Sequence, residues 1–215
     1  MLQVYLVRHG ETQWNAERRI QGHSDSPLTE KGEQQAWQVA ERAKALGITH
    51  IIASDLGRTR RTAEIIAELC GCDITLDSRL RELDMGVLEQ RNLETLTEEE
   101  EGWRRQLVNG TAGGRIPGGE SMQELADRMH AALATTLELP QGSRPMIVSH
   151  GMALGCLVST ILGLPAYAER RLRLRNCSIS RIDYQDSAWL ASGWVVETAG
   201  DVSHLDAPAL DELQR

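Results

Sequence analysis

Two histidines in this sequence each stand directly after an apolar run and directly before a glycine. The first is His9, in the sequence VRHG at 7–10, and the second is His150, in the sequence VSHG at 148–151. A neutral imidazole can attack a phosphoryl group, and its unperturbed pKa of about 6.5 leaves it largely neutral at cellular pH. Arg8 can bind two phosphate oxygens through its planar guanidinium. The glycine permits a sharp turn that would leave the ring uncovered.

Both histidines are predicted to follow strands of one sheet. The segments 2–7 and 146–148 are apolar runs and are predicted to be buried strands, and the segment 48–54 is rich in β-branched residues, as expected for a strand buried on both faces. A further strand over 48–54 is followed by a short turn and the start of a helix. Ligands of open α/β sheets bind at the edge formed by the carboxyl ends of the strands. We therefore expect four side chains to converge on one crevice: Arg8, His9, Arg58 and His150.

The order of the elements predicts an α/β fold with a mostly parallel open sheet flanked by helices. Helical spacing and capping residues indicate helices that begin near residues 30, 58, 94, 121 and 153. In the fourth of these, Leu137 is expected to face inward. A short strand is predicted at 73–76, loops at 13–27 and 109–119, and two strands joined at 186–187 in the stretch 177–196.

Length and composition fit one globular domain over 1–215, with a cap-like insertion at 83–119 and a surface tail at 200–215. The 23 basic and 31 acidic side chains give a formal net charge of −8. This balance argues against nucleic acid and against an anionic membrane surface as partners. It still allows a small anionic ligand, because a few arginines can make a local cationic cleft.

The remaining sequence features favour a cytoplasmic protein without a metal. The four cysteines lack metal-ligand spacing and fit free thiols in a reducing compartment. The N-terminus has no basic stretch before an apolar core, so we expect no signal peptide, and we expect the apolar stretch 146–164 to divide into a strand and a helix rather than to span a membrane. A zinc site on His9 and His150 would need a third ligand, and an arginine beside it would repel the cation. We therefore expect no metal.

Seven motifs in order along the chain resemble the histidine phosphatase superfamily, in its phosphoglycerate mutase branch. They are LVRHGET at 6–12, Asn15, QG at 21–22, PLTEKG at 27–32, SDLGRT at 54–59, LREL at 80–83 and VSHG at 148–151. Because the motifs span most of the chain, the resemblance is highly specific. It implies the three-layer α/β/α sandwich of that family, an enzyme, and a small phosphorylated metabolite as its partner.

The resemblance also implies a role for each residue. His9 matches the nucleophile that becomes a phosphohistidine, and Glu82 matches the group that protonates the leaving oxygen and later deprotonates the acceptor. Three groups match those that hold the phosphoryl oxygens: Arg8, Arg58 and His150. The substrate-binding candidates are Thr12, Asn15, Gln21, Gly22, Arg60, Arg104, Arg105 and Gly151. For the three arginines of this set, solvated surface positions are an equal alternative. The histidines at 23, 50, 130 and 204 are expected to be structural or exposed, without partners.

Three functions stay open at this stage. A mutase would pass the phosphoryl group to bound phosphoglycerate and would need a bisphosphoglycerate primer, whereas a phosphatase would pass it to water and need no cofactor. A non-catalytic phosphate-binding module is the third. Mutases of this family carry a tyrosine before the glycine where this chain has Met85, and their insertion is longer than the segment 94–119. Both departures favour a broader phosphomonoesterase. The sequence leaves the oligomeric state open.

Overall fold

One six-stranded sheet forms the centre of the molecule. The computed structural model describes residues 1–186, 188–189 and 192–206. The strands are β1 (Leu2–Arg8), β2 (His50–Ala53), β3 (Ile74–Leu76), β4 (Pro145–Ser149), β5 (Ile179–Gln185) and β6 (Gly193–Asp201). Their order is β3-β2-β4-β1-β5-β6. The first four strands are parallel to one another, β5 is antiparallel to β1, and β6 is antiparallel to β5. The predicted mostly parallel α/β fold is confirmed.

Helices cover both faces of this sheet. They are α1 (Gln13–Ala16), α2 (Glu30–Leu46), α3 (Gly57–Cys70), α4 (Glu98–Val108), α5 (Met122–Ala134) and α6 (Gly151–Ile161). Alternate residues of β1 enter two different cores, with Tyr5 and Val7 packing toward α2 and α3 and Val4 and Leu6 toward α5 and α6. Within the part of the chain that is described, no helix is long and apolar enough to cross a membrane.

Local signals at the helix ends are confirmed by the backbone. The Oγ1 atom of Thr29 accepts a hydrogen bond from the Gly32 N–H and caps α2, which ends at Gly47 with a left-handed φ of 70°. Ser121 begins α5 with a capping box. Because these signals depend only on neighbouring residues, they predict the boundaries well.

Several boundaries differ from the sequence prediction. The short helix α1 lies inside the predicted loop 13–27, and the helix predicted to begin near residue 94 begins at Glu98 instead. Leu137 is 44% exposed, because α5 gives way to a 3₁₀ turn at Thr135 that changes the helical phase. Trp189 is 95% exposed and lies before β6.

The predicted tail at 200–215 overlaps the sheet. Gly200 and Asp201 belong to β6, and Leu205 packs against the core on the α2 side. Part of the predicted turn at 186–187 and most of the predicted tail lie outside the described residues, which do not include Ser187, Leu190, Ala191 and 207–215.

The sheet topology brings three strand ends to one edge. β4 lies between β1 and β2, and its Ser149 is paired with Arg8 while its Val148 is paired with Ala53. The His9 N–H continues this pairing by donating to the carbonyl oxygen of Ser149 at 3.0 Å. Residues that directly follow the three strands therefore lie side by side.

Candidate active site

His9 is held in one tautomer by its own backbone. Its Nδ1 atom lies 2.8 Å from the Gly10 carbonyl oxygen, and a carbonyl can only accept, so Nδ1 carries the proton. The lone pair is therefore on Nε2. Burial, followed by the charges of Arg58 and Arg8, holds the pKa of His9 well below its usual value. The ring is thus neutral near pH 7, as a nucleophile must be.

The glycine after His9 serves close packing. A β-carbon on Gly10 would lie 2.4 Å from the carbonyl oxygen of Gly32, and one on Gly32 would lie 2.0 Å from that of Glu11. The start of α2 therefore packs directly on the chain that follows β1. The expectation of an uncovered ring was wrong, since His9 is only 3% exposed in this packed arrangement.

His150 and Arg58 form a buried pair behind His9. Arg58 Nε donates to His150 Nδ1 at 3.2 Å, so the proton of His150 is on Nε2, which lies 2.9 Å from Ser54 Oγ. The ring centroids of His9 and His150 are 5.3 Å apart. Burial and the Arg58 charge lower the pKa of His150 well below its ordinary value. Both imidazoles are therefore neutral beside a fixed cation.

The guanidinium of Arg58 is positioned by the loop after α1. Its Nη1 donates to Asp25 Oδ1 at 2.9 Å and to the Ser24 carbonyl oxygen at 2.8 Å, and its Nη2 donates to the Gly22 carbonyl oxygen at 2.7 Å. Gly22 has a left-handed φ of 57°, which favours glycine. The contact with Asp25 could not be predicted from the sequence, because no local pattern reveals which loop carboxylate meets a distant arginine.

Arg8 supplies a second buried guanidinium. The side chain is 2% exposed, and its Nη1 donates to the carbonyl oxygen of Leu174 at 2.9 Å. A β-carbon on Gly151 would lie 3.2 Å from Arg8 Nε, so the glycine leaves room for this side chain. Two buried cations beside two neutral imidazoles make a site that favours an anion.

Glu82 lies at the N-terminus of α6 and faces the same pocket. Its Oε1 accepts hydrogen bonds from the backbone N–H groups of Leu83 at 3.0 Å and Ala153 at 2.9 Å, and its Oε2 accepts one from Met152 at 3.1 Å. These donors come from two different segments. They fix the carboxyl group between the chain that follows β3 and the first turn of α6.

The backbone of Glu82 is held by Arg128, a residue for which no sequence motif suggested a role. Arg128 donates to the carbonyl oxygens of Arg79 at 2.7 Å, Arg81 at 2.6 Å and Glu82 at 2.7 Å, and it pairs with the Glu120 carboxylate. One guanidinium on α5 thus binds three carbonyls of the segment that presents Glu82. The five donors of arginine make this possible.

The expectation that four other histidines lack partners was wrong. His23 Nε2 lies 2.9 Å from the Glu82 carbonyl oxygen, so this ring also supports the segment that presents Glu82. His50 contacts Thr49 and His130 contacts Thr160. His204 contacts the Cys177 carbonyl oxygen. Only His23 adjoins the site.

One pocket collects most of the predicted site residues. Its lining includes Arg8, His9, Asn15, Gln21, Gly22, Arg58, Glu82 and Arg104. The pocket is also lined by six apolar side chains: Ile20, Met85, Leu93, Leu107, Val108 and Met152. His150 is fully buried behind His9. Five of the lining residues lie in the segment 83–119: Met85, Leu93, Arg104, Leu107 and Val108.

A family model described as the histidine phosphatase superfamily (branch 1) matches residues 4–197. The chain belongs to the histidine phosphatase superfamily. It is 87% identical over 215 residues, covering 100% of both chains, to proteins named "Probable phosphoglycerate mutase GpmB" from Salmonella paratyphi B and Salmonella newport. The predicted family is confirmed, and so is the expectation of an enzyme.

Solved structures agree with the fold of this superfamily. YhfR of Bacillus stearothermophilus is 30% identical with a TM-score of 0.86, over 95% of this chain and 99% of that one. Phosphoserine phosphatase from Entamoeba histolytica, solved in complex with 3-phosphoglyceric acid, is 26% identical with a TM-score of 0.81. That match covers 95% of this chain and 100% of the other.

Four of the substrate-binding residues predicted from the sequence do not line the pocket. Thr12 is buried and caps α1 through a hydrogen bond that Asn15 N–H donates to its Oγ1. Gly151 makes room for Arg8, as described above. Arg60 lies on the exposed side of α3 and pairs with Glu64, and Arg105 pairs with Glu101. The structure thus places Arg60 and Arg105 in ion pairs within their own helices, and it places Thr12 and Gly151 against Asn15 and Arg8, which do line the pocket.

Among the described residues, no group of three or more histidines, cysteines or carboxylates could hold a metal ion. The four cysteines are free thiols. Burial raises the pKa of Cys70 to about 11 and that of Cys156 to about 12. Neither thiol is therefore a ready nucleophile near pH 7.

Proposed function

We propose that this superfamily member hydrolyses phosphomonoesters of small metabolites through a phosphohistidine at His9. The observation that carries the proposal is the hydrogen bond from His9 Nδ1–H to the Gly10 carbonyl oxygen, because it leaves the Nε2 lone pair free to attack. Depression of the pKa of His9 keeps that lone pair available at neutral pH. The substrate class, a small phosphorylated metabolite, follows from the cationic pocket.

The first step forms a bond between His9 Nε2 and phosphorus and breaks the bond from phosphorus to the ester oxygen. The protonated carboxyl group of Glu82 gives its proton to that oxygen, because an alkoxide is a poor leaving group. Arg8 and Arg58 bind the equatorial oxygens, where negative charge is concentrated in the transition state. Each fixed donor of this kind contributes roughly 10²–10³-fold in rate.

The second step releases phosphate. The Glu82 carboxylate takes a proton from a water molecule, the water oxygen bonds to phosphorus, and the phosphorus–Nε2 bond breaks. His9 returns to its neutral tautomer and Glu82 to its protonated form, so the cycle closes. Neither step requires a metal or an organic cofactor, and we expect EDTA to leave turnover unchanged.

Water is the acceptor that we favour, although the name of the 87% identical relatives supports mutase activity as a second candidate. Met85, which lines the pocket beside Glu82, has no hydroxyl to bind a second substrate hydroxyl. The similarity to phosphoserine phosphatase also supports hydrolysis. A mutase would need a bisphosphoglycerate primer and would act in glycolysis. In either case we propose a cytoplasmic enzyme.

The test measures inorganic phosphate released from p-nitrophenyl phosphate and from 3-phosphoglycerate, with a parallel sample coupled to enolase to detect 2-phosphoglycerate. Phosphate release alone supports hydrolysis, and an enolase signal selects the mutase. If neither phosphate release nor an enolase signal is detected, the result supports a non-catalytic phosphate-binding module. His9→Ala should abolish both turnover and covalent labelling by phosphate, and labelling that persists would remove His9 from the role of nucleophile.

A further inference from the structure

A short segment before β5 contacts the carboxyl end of β1. Because β5 is antiparallel to β1, the chain that enters β5 lies beside the residues that leave β1. Arg8 N–H donates to the Ser178 carbonyl oxygen at 3.4 Å, and Arg8 Nη1 donates to that of Leu174 at 2.9 Å. The segment 174–178, which none of the sequence motifs includes, therefore holds the residue that precedes the proposed nucleophile.

The backbone of this segment turns sharply at Cys177. Its φ of 56° lies in the left-handed region, which is uncommon for residues other than glycine and costs free energy. The Cys177 N–H donates to two carbonyl oxygens, that of Arg8 at 3.0 Å and that of His9 at 3.3 Å. Strain of this kind persists where the surrounding contacts hold it, and here these contacts are made with the two residues at the end of β1.

Asn176 is fully buried beside this turn and joins two parts of the site. Its Nδ2 donates to the His9 carbonyl oxygen at 3.0 Å and to Asn15 Oδ1 at 3.2 Å. Asn15 belongs to α1 and lines the catalytic pocket. One buried amide group therefore links the backbone of the proposed nucleophile with a side chain in the lining of the pocket.

The same hydrogen bonds decide which way the Asn15 amide is turned. The Thr12 N–H lies 3.2 Å from Asn15 Oδ1, and a backbone N–H can only donate, so this atom is the amide oxygen. Asn176 meets the same oxygen and must therefore present its NH2 group to it. With its oxygen held by two donors, Asn15 can meet an anion in the pocket through its own NH2 group. That group is a donor, as the binding of a phosphoryl oxygen requires.

We propose that Asn176 is a positioning residue for phosphoryl transfer. It holds the Asn15 amide with the donor end toward the phosphoryl oxygens, and it ties that amide to the backbone of His9, so that donor and nucleophile keep one geometry. Asn176 acts through Asn15, since it is not among the residues that line the pocket. This inference rests on the proposed function, because it names a residue that supports the same site.

The test is a double-mutant cycle with Asn15→Ala and Asn176→Ala. The ligand is orthovanadate, which can take the five-coordinate geometry of phosphorus during transfer, and its Kd is measured by titration calorimetry. We expect each single change to raise this Kd at least about tenfold, since one charge-assisted hydrogen bond contributes that much. In the Asn15→Ala background, Asn176→Ala should raise the Kd by less than about threefold, because the side chain that it positions is absent.

A further variant tests the orientation of the Asn15 amide without creating a cavity. Asn15→Asp keeps an oxygen toward Thr12 and Asn176 but turns a second carboxylate oxygen toward the anion. It should bind orthovanadate more weakly than Asn15→Ala does, because like charges then meet in the pocket. Asn109→Ala is the matched control, because Asn109 is an exposed asparagine at the end of α4 and should keep the wild-type Kd.

Three results would overturn the inference. One is a Kd that Asn176→Ala leaves unchanged. Another is an equal rise in Kd from Asn176→Ala with and without the Asn15 side chain, which would indicate general loosening of the fold. The third is binding by Asn15→Asp that is as tight as that of Asn15→Ala or tighter. Failure of the proposed function looks different, because the wild-type protein would then bind orthovanadate without turning over p-nitrophenyl phosphate.

Discussion

Arg128 offers the sharpest test of how Glu82 is positioned. It donates to the carbonyl oxygens of Arg79, Arg81 and Glu82 and pairs with Glu120, and its side chain is 19% exposed. Arg128→Met would leave three carbonyls and one carboxylate without this donor. Each hydrogen bond from a charged donor contributes about 1.5–3 kcal/mol, and these values do not add fully. We therefore expect a loss of about 3 kcal/mol in the free energy of unfolding.

The kinetic effect should depend on the leaving group. A displacement of the proton donor by about 1 Å costs on the order of 10²-fold in rate, which is also the lower end of the contribution of general acid catalysis. We expect Arg128→Met to lower kcat by about 100-fold on an alkyl substrate such as 3-phosphoglycerate. On p-nitrophenyl phosphate the loss should stay below about tenfold, because p-nitrophenolate leaves without a proton.

The measurements are urea denaturation and steady-state kinetics with both substrates at one temperature where the variant remains folded. Arg115→Met is the matched control, because Arg115 is an exposed arginine that pairs with Glu124 and does not contact the Glu82 segment. It should change neither stability nor the ratio of the two rates. Equal losses on both substrates in Arg128→Met would refute the reasoning, since they would indicate general damage to the fold.

Three further changes have defined outcomes. The folded state keeps His9 neutral, whereas the unfolded chain takes up a proton below about pH 6.5, so the free energy of unfolding due to this histidine falls by about 1 kcal/mol between pH 6.5 and 5.5. Urea titrations of His9→Asn should therefore show a fall between these pH values that is smaller than in the wild type by that amount. A fall equal to that of the wild type would show that the folded ring is protonated. Gly32→Ala should lower the free energy of unfolding by about 3 kcal/mol, because its β-carbon would lie 2.0 Å from a backbone oxygen. Gly102→Ala, in open space on α4, should raise the free energy of unfolding by roughly 0.5–1 kcal/mol. Thermal melts check both variants, and shifts of similar size and sign would contradict the packing argument. Arg58→Met should lower kcat/KM for p-nitrophenyl phosphate by about 10²–10³-fold, and Arg60→Met by less than about twofold, so a comparable loss in Arg60→Met would return that arginine to the site.

The sequence alone determined the parts of this protein that depend on neighbouring residues. The apolar run of β1 predicts a strand, Thr29 and Gly47 predict the ends of α2, and strand and helix patterns predict a parallel sheet. Since parallel strands end at a common edge, the positions of His9 and His150 along the chain already imply that they meet. The motifs then connect the chain with its superfamily.

Only the tertiary structure decided which distant groups touch. Asp25 pairs with Arg58, Arg128 binds the carbonyl of Glu82, and Arg60 turns to Glu64 away from the pocket. The first two contacts join segments far apart in the chain through loops whose path no short-range pattern encodes. Periodicity fixes which face of an element is buried, because burial depends on local geometry. The partner of a buried charge depends instead on how all the elements pack together.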